Sequence, residues 1–243
     1  VSGAIVAAGG GGTIAGSIAS GKLAIGTGTD TIGSFVDALT EDNSIYIGAN
    51  PTSTTSTAEK NTALGIEALD AVTTGDHNTV VGYQAASAMT TMTHMTVIGE
   101  RAAGNTNTVG AHDDVYVGSL AGLNAGGSDN VMIGAGAGQS SNTQYQSVFV
   151  GKEAGFGSAS SGFGNVALGY RSFYASTSGI YNTTIGQEAG YGLTSGRNNT
   201  LIGYRSGYAL TTTNHNIFIR EEAGRYATSA EQNTALGYHA LGE

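Results

Sequence analysis

The sequence has little of what builds an ordinary globular core. Cysteine and tryptophan are absent from its 243 residues, proline occurs once, at Pro51, and charged residues make up only 11%. A typical globular domain has about 25% charged residues, so composition argues against that class. The lack of cysteine leaves the compartment open, because an extracellular protein that is stabilised by repetition needs no disulfides.

The charge balance and the lack of long apolar runs argue against two further classes. The formal net charge is −9 at pH 7. Nucleic acids and anionic membrane surfaces both select clustered Lys and Arg, so neither is an expected partner. No run of eighteen apolar residues occurs in the sequence, and we therefore expect no membrane span.

Glycine, by contrast, is abundant, with 40 residues, about twice its usual share. Small residues let backbones approach closely. We therefore expect a thin, closely stacked structure rather than a thick core of large side chains.

An apolar–apolar–glycine tripeptide recurs along most of the chain, and we number each repeat from its glycine as position 0. Of the eleven intervals between repeats, eight are seventeen residues, and the others are nineteen, sixteen and eighteen. Arg220 stands at position 0 in one repeat, and the glycines of the others are Gly48, Gly65, Gly82, Gly99, Gly118, Gly134, Gly151, Gly169, Gly186, Gly203 and Gly237. The period predicts an all-β solenoid of about twelve rungs over residues 41–243. Residues 1–40 form a glycine-rich N-terminal segment, which is a linker, an attachment or an irregular rung at Leu23-Ala24-Ile25-Gly26.

Three columns of the repeat have a direct physical interpretation. Position −4 is mostly asparagine, which predicts a ladder of stacked amides and also tolerates a left-handed backbone. Position 0 is a corner that favours glycine. Position +3 is almost always Ala or Ser, which indicates an interior too narrow for larger side chains.

Positions −3 to −1 read as a short strand, in which alternate side chains point to opposite faces. Positions −3 and −1 are Thr or aliphatic, and we expect them to point into the solenoid. Position −2 would then point outward, although eleven of its twelve residues are apolar or aromatic. Such a stripe predicts a lengthwise interface between chains. The alternative is that both faces are buried within one chain.

The segments Asn61-Thr62-Ala63-Leu64-Gly65-Ile66-Glu67-Ala68-Leu69 and Asn199-Thr200-Leu201-Ile202-Gly203-Tyr204-Arg205-Ser206-Gly207 carry a resemblance to a known group. They resemble the "NTALGYxAL" repeats of bacteriophage tail fibres and related bacterial surface proteins, and the pattern is more distantly similar to the head repeats of trimeric autotransporter adhesins. The resemblance covers residues 43–243. It implies a parallel homotrimer, a place in a virion or at a cell surface, other fibre proteins as partners, and contact with a host glycan or protein.

Aromatic and basic residues gather in one stretch of the repeat, between Gly169 and Gly207. At repeat spacing, equivalent positions stack along the rod. The residues of this possible ligand surface are Tyr170, Tyr174, Tyr191, Tyr204, Tyr208, Arg171 and Arg205. Aromatic faces beside guanidinium groups suit a sugar or an acidic glycan, whereas the same stacking also stiffens a sheet by itself.

Other segments carry weaker chemical signals. The phosphate-loop spacing that ends at Lys22 is followed by Leu23 instead of Ser or Thr. The sequence His112-Asp113-Asp114 could bind a metal or transfer protons, although Asp114 also falls in the asparagine column. Glu221 and Glu222 follow Arg220, and we expect a local ion pair there.

We therefore predict a non-enzymatic structural fibre without a cofactor, catalytic residues or a metal. A phage tail fibre that contacts a host surface is the first hypothesis. A bacterial adhesin or ice-binding protein and a glycan depolymerase on a β-solenoid are the alternatives. The Thr residues at position −3 would suit ice binding, but Val and Ile interrupt them and we expect them to face inward.

Overall fold

The computed structural model describes residues 22–23, 36–41, 43–48, 57–106, 111–157 and 162–242. Within these ranges the chain is all-β, with sixteen short strands and no helix. The strands are β1 (Lys22–Leu23), β2 (Val36–Glu41), β3 (Ser44–Ile47), β4 (Thr62–Leu64), β5 (Thr79–Val81), β6 (Thr96–Ile98), β7 (Val115–Val117), β8 (Val131–Ile133), β9 (Gln144–Tyr145), β10 (Val148–Val150), β11 (Gly162–Phe163), β12 (Val166–Leu168), β13 (Thr183–Ile185), β14 (Thr200–Ile202), β15 (Ile217–Ile219) and β16 (Thr234–Leu236).

The strands from β3 onward, apart from β9 and β11, stack in parallel and in register along one long sheet. Each strand pairs with the equivalent residues one repeat away, so that Phe149 lies between Met132 and Ala167. Strands β1 and β2 join the start of this sheet in antiparallel fashion, and β9 and β11 form a second, two-stranded sheet. The predicted β-solenoid is confirmed, with about ten turns in the described part of the chain.

The prediction that position −2 faces outward is wrong. Every residue of that column is buried, including Tyr46, Tyr116, Phe149 and Phe218, each of which is 0% exposed. Positions −3 and −1 instead lie on the outer face of the sheet. Strand alternation places −3 and −1 on one face and −2 on the other. Position −1 is as apolar as position −2, and half of position −3 is aliphatic and half threonine, so the pattern does not by itself say which face is inside.

Position +4 explains why position −2 is the inner one, because the two columns compensate for each other in size. From Tyr116 onward, every large residue at position −2 has glycine at position +4, and a Cβ added to Gly122 would lie 2.6 Å from the ring of Tyr116. Where position −2 is alanine, position +4 is large, as in the pair Ala167 and Phe173, both of which are buried. Most rungs thus place one large side chain from these two columns in a narrow interior, as close packing requires.

The amide ladder predicted at position −4 is present. The Nδ2 of Asn199 donates to Oδ1 of Asn182 at 3.0 Å, and Asn216 donates in the same way to Asn199 at 3.0 Å. The same Nδ2 atoms also donate to a carbonyl fourteen residues further on, which for Asn199 is that of Thr213 at 2.8 Å. The buried asparagines therefore satisfy their donors and hold neighbouring rungs in register.

The left-handed backbone conformation occurs at residues next to the ladder asparagines and not at the asparagines themselves. Position −5 has a positive φ, for example 59° at His77 and 56° at Asn198, and positions +2 and +4 have it as well. This conformation costs about 1–2 kcal/mol for a residue with a Cβ. Each corner is held by a neighbouring rung, since the N–H of His94 donates to the carbonyl of Asp76 at 3.0 Å and that of Glu188 to Tyr170 at 2.9 Å.

The corner glycine at position 0 is required by close stacking. Gly186 has φ of 130°, and a Cβ there would lie 2.6 Å from the carbonyl oxygen of Gly203 in the next rung. Only glycine takes up both the backbone conformation and this approach without strain. Arg220 takes the same place with φ of 102°.

The N-terminal segment is described only in part. Strand β2 crosses the boundary that we placed after residue 40, and it joins the same sheet as the rungs. Of the irregular rung expected at residues 23–26 only residue 23 is described, and the phosphate-loop spacing before Lys22 lies outside the described residues.

Candidate functional site

The tyrosines of the possible ligand surface divide into two rows. Tyr174, Tyr191 and Tyr208 lie at position +5 and stack with ring centroids 5.0 Å apart and planes within 9° of parallel. Phe156 extends this row by a further 5.0 Å contact with Tyr174. We call these four rings the aromatic stack. The predicted stacking at repeat spacing is confirmed for this row, and the stacked rings cover each other's faces.

Tyr170 and Tyr204 lie in a separate row, at position +1, two rungs apart. Each carries a guanidinium over its ring, since the Cζ of Arg171 is 5.1 Å from the Tyr170 centroid and that of Arg205 is 5.0 Å from the Tyr204 centroid. The same two guanidinium groups lie 5.3 and 5.4 Å from the rings of Tyr174 and Tyr208. Each arginine therefore joins the two rows by cation–π contacts.

Glutamates in the preceding rungs neutralise both arginines. The Nε of Arg171 donates to Oε2 of Glu153 at 2.6 Å, and the Nε of Arg205 donates to Oε2 of Glu188 at 2.6 Å. These hydrogen bonds raise the pKa of both guanidinium groups, so they stay charged and paired. Each guanidinium charge is thus balanced by a carboxylate, and the pairs give the surface no net positive charge.

The glutamates could not be recognised from neighbouring residues in the sequence, because their arginine partners are a whole rung away. Position +2 reads Glu153, Arg171, Glu188, Arg205, Glu222 and His239 in consecutive rungs. The last pair repeats the arrangement, with Nε2 of His239 lying 2.7 Å from Oε2 of Glu222. The alternation of acid and base in one column is the signal that identifies these pairs.

The ion pair expected between Arg220 and the glutamates that follow it is not the one that forms. Glu222 is almost buried and is paired with Arg225 and His239. Within the described residues no ion pair joins Glu222 to Arg220. The reason is geometric, because position +2 turns back toward the neighbouring rungs rather than toward position 0.

A second candidate site is the outer face of the long sheet, and we call the side chains at positions −3 and −1 the outer strip. Some of its aliphatic residues are exposed, with Leu64 at 48%, Ile98 at 40% and Ile217 at 42%, and the others are half-buried. The threonines at position −3 belong to the outer strip too, so the expectation that they face inward is wrong. The strip runs the length of the parallel stack, about 55 Å for twelve strands.

His112, Asp113 and Asp129 form the one group of three possible metal ligands among the described residues, with their ligand atoms within 4.8 Å of one another. Nδ1 of His112 lies 2.9 Å from Oδ2 of Asp113. All three side chains are exposed, and in the described part of the chain no buried residue supports them as the neighbours of a metal ligand commonly do. The arrangement therefore gives no reason to change the expectation that the chain carries no metal.

Asp114 points the other way, into the solenoid, where it takes the place of a ladder asparagine. Its Oδ1 accepts a 2.7 Å hydrogen bond from the N–H of Asn130. Its Oδ2 and the hydroxyl of Tyr116 are buried without a hydrogen-bond partner among the described residues. Burial is the main cause that raises the pKa of Asp114 to about 7.

Comparisons with protein-family models, with curated proteins and with solved structures find no match to this chain. No helix capable of crossing a membrane is present in the described ranges. The two surfaces that bear on the function are the outer strip and the tyrosine rows.

Proposed function

We propose that this chain is a shaft segment of a homotrimeric fibre of the phage tail-fibre type, which spans distance and contacts a host surface. The resemblance of the repeats supports this function. A stack of in-register rungs also makes a straight rod whose length grows with the number of repeats. Such a rod serves as a spacer.

The outer strip is the observation that carries the proposal. Soluble monomers rarely expose a contiguous apolar patch of more than a few hundred Å². A strip about 55 Å long and about 10 Å wide reaches that limit and calls for a partner. The seam between protomers is thus assigned to positions −3 and −1, in place of the buried position −2.

A second copy of the chain is the partner that fits the outer strip best. Its rungs have the same rise, so that apolar rows meet at every rung, whereas a partner without this repeat would match at a few points only. Three copies related by a threefold axis close such a head-to-tail contact into a ring. The number three comes from the resemblance.

The tyrosine rows lie past the corner glycine and outside the outer strip, so a trimer joined by the strip leaves them for host contact. The bacterial adhesin that we considered as an alternative would use the same architecture. Gold-labelled antibodies against the chain distinguish the two, because a virion protein is labelled on particles and an adhesin on the cell surface.

Light scattering of the purified protein tests the assembly. The wild type is expected to have three times the chain mass of 24.3 kDa. Ile98→Lys combined with Ile202→Lys places charges in the seam and should give monomers. The matched control is Tyr83→Lys, which changes an exposed residue outside the strip and should leave the trimer intact. A monomeric wild type would contradict the proposal.

A further inference from the structure

We infer that Tyr170, Tyr204 and Tyr238 form a linear binding track for a neutral, extended polysaccharide that lies along the solenoid axis. This inference deepens the host-contact part of the proposed function and rests on it. The three residues occupy position +1 at every second rung, and we call them the tyrosine track. Tyr238 was not among the residues singled out from the sequence.

The track is built from one unit that repeats three times. In each unit a tyrosine at position +1 lies against the side chain that follows it, and that side chain is held by a glutamate of the preceding rung. Arg171 and Arg205 fill this role under the first two tyrosines. His239 contacts Tyr238 edge-on at 4.2 Å and is held by Glu222.

The rings of the track are at least partly exposed, and within the described residues no other ring stacks face to face on them as happens in the aromatic stack. Tyr170 is 37% exposed and Tyr238 is 63% exposed, and Tyr204 is partly exposed. An exposed tyrosine offers an apolar ring and a polar hydroxyl together, and the C–H face of a pyranose ring packs on such a surface. A glutamate holds the side chain that contacts each tyrosine, which orients the tyrosines before a ligand arrives.

The spacing of the track selects the shape of the ligand. Two rungs span about 9.6 Å at the usual interstrand distance. A sugar residue in an extended β-linked polysaccharide advances by about the rise of one rung, so alternate residues meet successive tyrosines with the same face. An extended peptide does not match, because its like-facing side chains repeat about every 6.7 Å.

A polyproline helix advances about 9.3 Å per turn and matches the spacing too, but the residues between the tyrosines favour sugar. Gln187 and Glu221 lie at position +1 in the intervening rungs and are exposed. The carboxylate of Glu221 only accepts hydrogen bonds. Sugar hydroxyls donate them, whereas a proline-rich chain has no N–H to offer.

The charges select a neutral polysaccharide rather than an acidic one. Arg171, Arg205 and His239 are each paired with a glutamate, and Glu221 adds an exposed negative charge between two of the tyrosines. The whole chain has a net charge of −9. An acidic glycan would therefore be repelled over the length of the track.

Oligosaccharides of increasing length test the track. The probes are β-1,4-linked gluco-, N-acetylgluco- and manno-oligosaccharides of two to six residues, and binding to the intact fibre is followed by calorimetry. For at least one series the affinity should rise in steps at three and at five residues, because those lengths reach the second and the third tyrosine. Polygalacturonate and a decamer of proline should not bind.

Substitutions test whether the oligosaccharides bind at the tyrosine track. Tyr204→Ala should weaken the five-residue probe about tenfold, which is the loss of one aromatic contact, and should remove the step at three residues for probes that begin on Tyr170. Tyr204→Phe keeps the ring and should retain most of the affinity. Tyr83→Ala is the matched control at position +1, away from the track, and should change nothing.

The inference is overturned if none of the three neutral series binds, if binding ignores Tyr204→Ala, or if polygalacturonate or the proline decamer binds with the same dependence. A trimeric fibre that adsorbs to cells but ignores every neutral probe would refute the track and leave the proposed function standing. A monomeric wild type that still binds the probes would refute the proposed fibre and leave the track standing.

Discussion

The rungs from Gly65 to Gly99 and the rungs from Gly151 to Gly237 share a backbone but differ in the side chains inside and outside. The first group is filled by small and flexible residues, among them the buried Met89, Met92 and Met95. The second group is filled by aromatic residues such as Phe149, Phe173 and Phe218. Both groups share the corner glycines, the small residues at position +3 and the ladder, which therefore define the coil. The side chains at positions −2 and +4 differ between the groups, so several combinations of residues can fill the interior.

The two groups also differ on the surface. The earlier rungs carry a contact at position +2 with only one charged partner, in which Gln84 donates to the carboxylate of Glu67 at 2.6 Å, and His77 stacks on His94 at 4.8 Å. The later rungs carry the acid–base alternation and the aromatic stack. Chemistry that could recognise a ligand is thus concentrated in the later rungs, on a coil that the earlier rungs form without it.

The largest expected effect comes from breaking the size compensation in an aromatic rung. Gly155→Leu would force a side chain into the ring of Phe149, and overpacking plus a left-handed backbone should lower the free energy of unfolding by up to about 5 kcal/mol. Phe149→Ala with Gly155→Leu recreates the pairing of Ala63 with Leu69 and should recover most of the loss. Urea unfolding measures both, and a double variant no more stable than the single one would refute the compensation.

A smaller effect is expected at Asp114, where the ladder between the two groups contains an acid. Its folded pKa is raised from 3.8 to about 7, so the neutral form is favoured in the fold. Stability from this group is complete below pH 3.8, declines as pH rises and is lost above about pH 7. The free energy of unfolding of Asp114→Asn, measured relative to that of the wild type, should therefore be about 3–4 kcal/mol higher at pH 8 than at pH 4.

Unfolding of wild type and Asp114→Asn between pH 4 and pH 8 checks this sign. Tyr116 and Asp129 are the titratable neighbours that affect Asp114, and both remain in the variant. Parallel stability curves for the two proteins would show that Asp114 is not the buried acid responsible. Asp113→Asn, an exposed change next to it, is the matched control and should leave the pH dependence in place.

The smallest effect is expected from the acid–base alternation at position +2. Glu188→Gln converts an ion pair of the later rungs into a contact with one charged partner, as between Gln84 and Glu67. Partly exposed ion pairs contribute little to stability. The urea midpoint should fall slightly, and less than for the two changes above. Added salt should lower the midpoint of the wild type more than that of the variant, and equal salt sensitivity would contradict the pairing.

Much of the coil could be predicted from the sequence, because each of its features repeats at a fixed distance along the chain. The period, the corner glycine, the ladder of asparagines and the narrow column at +3 all follow from columns of like residues. The stacking of Tyr174, Tyr191 and Tyr208 follows in the same way. Residues one period apart are neighbours in any solenoid, so no further information was needed.

The orientation of the strands could not be predicted in the same way. Alternation separates position −2 from its neighbours, but Phe149 and Phe218 are as apolar as the Ile and Val beside them. The signal that identifies the inner face is the size compensation between the side chains at positions −2 and +4, as between Ala63 and Leu69. That relation becomes visible only when two columns six residues apart are compared rung by rung. The charge pairs at position +2 were missed for a related reason, since each partner is seventeen or eighteen residues away.

The rate of thiol modification at a single introduced cysteine tests most directly whether the outer strip is a seam between chains. The chain has no cysteine of its own, so the signal is unambiguous. Ile98 is 40% exposed in the single chain, and Ile98→Cys should be protected in the native fibre and react rapidly once the fibre is denatured. Glu100→Cys, two residues away and outside the strip, should react rapidly in both states. If Ile98→Cys reacts as fast as Glu100→Cys in the native protein, the strip faces water and the proposed fibre assembly is wrong.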